Sequence, residues 1–334
     1  MQDAPRPLDA LDRKILYWMD CDCRTSVRAL ARKLRVSPSR LHYRLQQLVQ
    51  DGVIKSFVTV INYRLLGYRS YGVHYKLREL GPDEVEHVMR KIARDPRVLD
   101  MFLCEGTFNA HIAFLAKELE ETEDIIWDVR DQLSKYIIDE KRTIRLKSYL
   151  YHRSELLPRS SEEPDRSVLT MEKTPQPAQL DEDDRRILTA MSVHADWPVW
   201  KIAKAAGVSG PKAYARIKRL EGAGIIQGYR LVLDPNTSGF AYFRVVVKLH
   251  YIPPERRDEL MKFLQSLPSI DRCTFTYGDY DLSYDLLVEN TAALREVMNQ
   301  VYGRFRNEVI TQDWVRVSRI IKFSYFQTGM PHRI

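Results

Sequence analysis

The sequence predicts an α+β protein made of two tandem copies of one unit, a winged helix-turn-helix followed by a ferredoxin-like βαββαβ domain. Three observations predict it. The 334-residue chain repeats itself at an offset of 172: Leu8, Asp9, Asp12, Arg13, Ile15, Leu16 and Met19 recur as Leu180, Asp181, Asp184, Arg185, Ile187, Leu188 and Met191. The offset holds without a gap through Val36-Ser37 (Val208-Ser209), Arg44 (Arg216), Gly52 (Gly224), Gly67 (Gly239) and Pro96 (Pro268) to Gly106 (Gly278). A period this long far exceeds the roughly 20–50 residues of solenoid repeats, so each copy is a complete folding unit. The front of each copy has helical apolar spacing, and the back orders its strands and helices as βαββαβ.

The elements follow in order. Leu8, Leu11, Ile15, Leu16 and Met19 form the apolar stripe of a first helix, with Asp9 and Asp12 in its first turn. A second helix, about 27–34, presents Leu30, Ala31 and Leu34. Ser37 suits an N-cap and Pro38 the first helical position, so a third helix runs from there to about Gln50. Gly52 ends it, and 53–63 reads as the strand of a wing. The back half starts with Val- and Tyr-rich strands at 69–78 and 241–251. Helices opened by Pro82 and by Pro253-Pro254 come next, then strands 98–104 and 110–116, matched by 270–277 and 282–289, each pair around a Gly turn. Helices 120–136 and 291–305 and strands 143–151 and 315–325 complete the set.

The expected domains are 1–63 and 180–235 for the winged helices, and 64–157 and 236–334 for the sheet domains. The segment 158–179, with Ser160-Ser161-Glu162-Glu163-Pro164, Pro175 and Pro177, reads as an exposed linker. The uncovered sheet faces call for a partner, either the other copy in an intramolecular pseudo-dimer or a second chain in a homodimer.

Composition narrows the function. The apolar and charged fractions, 44% and 29%, are those of a soluble globular protein. No apolar run approaches the roughly 20 residues of a membrane span, and residues 1–7 lack a signal peptide's apolar core, so a cytoplasmic protein is expected. Four cysteines without paired spacing read as reduced thiols. There is no nucleotide-binding glycine loop and no His-Glu-x-x-His, and the eight histidines are dispersed, so neither cofactor nor metal is expected. The net charge of +7 is concentrated: residues 1–60 hold eleven Lys/Arg against six Asp/Glu, and 180–230 hold nine against six. A basic surplus at the front of each copy points to a polyanion, double-stranded DNA above all.

The third helix of each copy carries that reading. In the first, Leu41, Leu45 and Leu48 face the core, and Ser39, Tyr43, Gln46, Gln47 and Gln50 face outward, flanked by Arg40, His42 and Arg44. In the second, Ala213, Ile217 and Leu220 face inward, and Pro211, Ala215, Lys218 and Arg219 outward, flanked by Lys212, Tyr214 and Arg216. Ser37 and Ser209 open the two helices, and neither outward face carries an acid before Asp51 or Glu221. Hydrogen-bonding groups mixed with cations suit phosphate contact and base-edge reading in a major groove.

A winged helix that opens with Leu180-Asp181-Glu182-Asp183-Asp184-Arg185-Arg186-Ile187-Leu188 and continues with Ala206-Gly207-Val208-Ser209 and Arg216-Ile217-Lys218-Arg219-Leu220-Glu221 resembles the Lrp/AsnC transcription regulators. The resemblance covers almost the whole chain, though ordinary members carry one such unit. It implies a sequence-specific DNA-binding regulator that responds to an amino acid or related molecule. Gly278, Asp279, Tyr280 and Asp281 resemble the family's Gly-x-x-Asp effector loop, in which an acid suits a ligand ammonium. The first copy has Gly106 but Asn109 in place of the acid. Siroheme or heme-precursor decarboxylases have a similar architecture and can occur as fused pairs, and Phe108, Asn109 and His111 are the residues that would serve such an enzyme. An enzyme needs no basic reading helix, and both copies keep one; His111 is then a packed strand residue.

Overall fold

The computed structural model describes residues 7–78, 81–158, 165–172 and 176–327. The first copy begins with α1 (Ala10–Cys21), started by a capping box in which Asp9 and Asp12 each accept the other's backbone N–H. Ser26 caps α2 (Val27–Leu34), and Ser37, followed by Pro38, caps α3 (Pro38–Gln50). The arm β1 (Ile54–Ile61) leads to β2 (Arg69–Leu77), α4 (Pro82–Ala93), β3 (Val98–Gly106), β4 (Ala110–Ala116), α5 (Leu119–Leu133) and β5 (Ile137–Tyr151). A short β6 (Val168–Met171) precedes the second copy: α6 (Glu182–Ser192), α7 (Val199–Ala206), α8 (Gly210–Gly222), β7 (Ile226–Leu233), β8 (Ala241–Leu249), α9 (Pro254–Ser266), β9 (Ile270–Gly278), β10 (Leu282–Val288), α10 (Thr291–Arg304) and β11 (Val309–Phe323).

Two junctions tie the copies together. The arms β1 and β7 pair antiparallel, with Val58 opposite Arg230 and Thr59 opposite Tyr229. Arg24 reinforces this junction by donating to the carbonyls of Ala195 and Trp197 at 2.7 and 3.0 Å. The sheet domains make the second junction. Their strands run β2-β4-β3-β11-β8-β10-β9-β5-β6, and β2 also pairs with β5, so eight strands close into a ring. Each copy contributes its four strands in ferredoxin-like order, β5-β2-β4-β3 and β11-β8-β10-β9. The closure lies in the long last strands. β5 pairs with β2 of its own copy over 137–145 and with β9 of the other over 143–150. β11 pairs with β8 over 309–316 and with β3 over 315–323. The chain thus folds as an intramolecular pseudo-dimer.

The core divides accordingly. Met89, Ile92, Ile125 and Val129 of α4 and α5 pack on one outer face of the ring, and Leu260, Leu264, Leu294 and Val301 of α9 and α10 on the other. A third apolar cluster runs from the helix-turn-helix units (Ile15, Leu41, Ile187, Ile217) into the ring (Phe102, Phe108, Val246, Leu287).

Two expectations change. The last strands begin earlier than 143 and 315, because their front halves, charged in β5 and largely uncharged in β11, are paired within their own copies. The segment 158–179 is also more than a tether. β6 pairs with β5 (Leu150 opposite Leu169), and Arg166 donates to the carbonyls of His152, Gln265, Leu267 and Ile270. Tyr17 Oη accepts the N–H of Asp165 at 2.7 Å. Residues 159–164 and 173–175 of the expected linker lie outside the described residues.

Candidate nucleic-acid interface and the paired sheet loops

The first recognition helix is built as its spacing requires. Leu41 and Leu48 are fully buried and Leu45 is half-buried, which leaves Ser39, Arg40, His42, Tyr43 and Gln46 exposed. Tyr43 is 61% exposed. Gln47 is half-buried and donates to Gln50. In the second copy Ser209, Lys212, Tyr214, Lys218 and Arg219 of α8 are exposed, Tyr214 at 55%.

Arg44 and Arg216, expected to flank these faces, turn back into the protein. Arg44 pairs with Asp9 at 2.8 Å and with buried Asp12 at 3.2 Å, which fastens α3 to the start of α1. Arg216 does the same to Asp181 at 2.6 Å and Asp184 at 2.8 Å. The repeated aspartates and arginine are one clamp used twice. Burial opposes the charge on Asp9, but the Asp12 N–H and the Arg44 guanidinium outweigh it and lower its pKa.

The remaining cations differ between copies. Lys212 pairs with Asp183 at 2.5 Å, Lys218 with Glu221 at 2.8 Å, and Arg219 with Asp184. In the first copy Arg28, Arg32, Arg35 and Arg40 are exposed and make no ion pair or side-chain hydrogen bond among the described residues. Three of these, on α2 and the turn after it, were absent from the sequence-derived set. The signal was available: residues 27–50 contain no acid at all.

The two Gly turns sit where the copies meet. Gly106 and Gly278 have φ of 132° and 133°. A Cβ on Gly106 would lie 2.6 Å from the carbonyl oxygen of Trp314, and one on Gly278 2.2 Å from that of Arg142, so the other copy's last strand excludes a side chain. The fourth loop residue closes its own sheet. Asn109 exchanges two 2.8 Å hydrogen bonds with the backbone of Leu77. Asp281, at the matching place, accepts the N–H of Leu249 at 2.8 Å and pairs with Lys248 at 3.2 Å. Asp279 accepts the N–H of Arg142 across the junction at 2.7 Å, and Tyr280 is buried.

The ring interior buries charged and polar groups among its apolar side chains. His111 is 1% exposed, with Nε2 3.0 Å from Asp100 and Nδ1 3.1 Å from Nδ1 of His74. Phe108 packs on His74, and Arg145 pairs with Asp100 at 2.9 Å. Burial pushes the pKa of His111 down to about 4, against the pull of Asp100, and burial and His111 push His74 down too. Burial likewise opposes charge on Asp100, but Arg145 and His111 hold its carboxyl well below the usual range. Further along, Arg244 pairs with Asp285 at 2.7 Å, and Asp20 of α1 is enclosed by Arg230 and Arg153, which reaches on to Asp271. Two narrow, partly open spaces beside these residues measure about 30 and 10 Å³.

The fold and the exposed third helices define a tandem winged-helix protein with a shared sheet ring, the architecture of a helix-turn-helix DNA-binding protein. Residues 8–55 match the winged helix-turn-helix DNA-binding family, and residues 180–221 match the AsnC-type helix-turn-helix domain. An uncharacterized HTH-type transcriptional regulator of Pyrococcus horikoshii is 34% identical over 127 residues, 38% of this chain and 82% of that protein. The proline dehydrogenase transcriptional activator of Rhodobacter capsulatus is 25% identical over 144 residues, 43% and 94% of the two chains. The chain belongs to the Lrp/AsnC family of transcription regulators. Each of these relatives matches about one copy's length. The arrangement of both copies is similar to the crystal structure of the siroheme decarboxylase NirDL, with a TM-score of 0.58 over 95% of this chain and 94% of that one. Its 15% identity makes this a likeness of fold. Among the described residues no helix is long and apolar enough to cross a membrane.

Proposed function

We propose that this DNA-binding transcription regulator reads a two-part site with α3 and α8 held at a fixed separation by the β1–β7 ribbon and the ring. The observation that supports this most is the outward, uncovered third helix of each copy on one continuous fold. The two faces differ, with Tyr43, Gln46 and Gln47 against Ala215, Lys218 and Arg219. Gln pairs well with adenine and Lys or Arg with guanine, so the half-sites should differ. Selection from a random duplex pool with the full chain should enrich a non-palindromic site of constant spacing, its halves about one helical turn apart. A perfect palindrome, or no enrichment, overturns the reading.

An amino-acid effector at Gly278, Asp279, Tyr280 and Asp281 is the finer part of this proposal. A ligand ammonium there would compete with Lys248 for Asp281, whereas Asn109 is neutral and fully used by Leu77. Calorimetry over a panel of amino acids, with Asp281→Asn beside the parent, tests it. No heat from any of them overturns it.

The decarboxylase alternative fits less well. Ligand pockets for organic molecules usually have volumes of about 300–1,000 Å³, and the spaces of about 30 and 10 Å³ beside the buried charges are water-sized. His111 is already committed to Asp100 and His74.

A further inference from the structure

The two helix-turn-helix units carry the same number of cations on their second and third helices but differ in how many are available. Residues 27–50 carry six Lys or Arg, and so do residues 199–222. In the first copy Arg28, Arg32, Arg35 and Arg40 are free, as described. Their equivalents at the 172 offset are Trp200, Lys204, Gly207 and Lys212. Of these four only Lys204 is an exposed cation without a partner among the described residues, because Lys212 is held by Asp183. The reason lies one helix upstream. Asp183 occupies the position at which the first copy has Leu11, so Arg40 has no acid to meet.

Arg35 adds an independent observation. It is the only non-glycine residue with positive φ among the described residues, at 55°, in the turn between α2 and α3. The same turn in the second copy uses Gly207 at φ 66°, the residue type that this left-handed geometry favours. A Cβ on Gly207 would meet nothing within 4 Å, so crowding does not dictate the choice. An exposed, unpaired arginine kept in a strained conformation, where glycine serves the fold, is a candidate for function. It lies just before the N-terminus of α3, where an anion is favoured by free N–H groups and the helix dipole.

We propose that the first helix-turn-helix is the phosphate anchor of this protein, with Arg28, Arg32, Arg35 and Arg40 as its backbone contacts, and that Asp183 keeps the second copy a weaker arm. This rests on the DNA-binding reading above and goes beyond it by assigning the load to one copy.

The test is fluorescence anisotropy of the full chain on a labelled duplex over a salt series. Each phosphate contact removed should lower the logarithmic salt slope by about 0.9. Arg35→Gly should therefore lose affinity several-fold, and the triple variant Arg28→Gln/Arg32→Gln/Arg35→Gly should lose about three slope units. Arg35→Gly relieves backbone strain, so its thermal stability should hold or rise while affinity drops, which a merely structural role would not give. Lys212→Ala/Arg219→Ala should change the slope far less. Conversely, Asp183→Asn with Gly207→Arg should tighten binding and steepen the slope. If the second-copy variants lose as much as the first-copy ones, the asymmetry is wrong while DNA binding stands. If the parent chain shows no salt-dependent binding at all, the functional reading itself fails.

Discussion

At position 20 the first copy buries an aspartate between two arginines; at the equivalent position 192 the second copy buries a serine that donates 2.7 Å to the carbonyl of Thr189. The partners diverge with it. Arg153 and Asp271 correspond to Tyr325 and Leu99, and the Arg230 arm position corresponds to Val58. The same holds inside the ring, where His74, Asp100, His111 and Arg145 match Val246, Arg272, Ser283 and Val317. Backbone-determining residues, the clamps and Gly turns, repeat. Apart from the clamp aspartates Asp12 and Asp184, the buried charges do not. A homodimer would place identical charges symmetrically about its axis, whereas a fused pair can put an acid on one side and its base on the other. Fusion thus allows a polar interior that is complementary rather than duplicated.

The largest test of this comparison is Asp20→Ala against Ser192→Ala. Removing Asp20 leaves Arg153 and Arg230 buried without their shared acid and should cost about 3–5 kcal/mol of unfolding free energy. Ser192→Ala removes one neutral hydrogen bond and should cost about 1 kcal/mol. Urea denaturation measures both, and equal losses would break the comparison.

Acid should find the first copy's sheet next. The folded pKa of His111, about 4, lies below its ordinary 6.5, so folding favours the neutral ring. Its contribution is complete above pH 6.5 and lost as pH falls from there to about 4, close to 3 kcal/mol for this one group, roughly 1.36 kcal/mol per unit. The groups facing it are His74, Asp100, Arg145 and Arg244. Asp20, with its pKa lowered to about 2 by its arginines against burial, acts in a lower window, from pH near 4 downward. His111→Gln should flatten the stability profile between pH 6.5 and 4. Ser283, its counterpart, has nothing to titrate, so a profile unchanged by His111→Gln would contradict the account.

The smallest effect should be the one that is equal on both sides. Gly106→Ala and Gly278→Ala each force a Cβ against the other copy's last strand and should each cost roughly 1–3 kcal/mol. A loss at only one of them would mean that the ring is not closed symmetrically.

Much of this was legible in the sequence. The 172-residue repeat gave both copies at once, and the Ser37 cap with the stripe of Leu41 and Leu48 placed the third helix correctly, whereas Asp9, read as a residue of the first turn, is the N-cap of α1. What stayed hidden was long-range. The charged run Asp139-Glu140-Lys141-Arg142 at the front of β5 has no apolar alternation, and only its pairing with β2 makes it strand. β6 is four residues long in polar surroundings, stabilised by β5 and by Arg166 reaching distant carbonyls. Helical periodicity put Arg44 and Arg216 beside the reading faces, but their acids lie 32 to 35 residues upstream and draw them inward. Periodicity shows which way a side chain leaves its helix; it does not show which charge will meet it.

The central claim is that two unlike copies on one frame bind duplex DNA chiefly through charge displayed by the first. The most direct measurement is the affinity of the unmodified chain for its selected duplex at 50 and 200 mM salt. With the four free arginines of the first copy as the main contacts, affinity should fall by a factor on the order of 100 across that interval, from a slope near −0.9 per contact. An affinity that barely changes between the two conditions would contradict it.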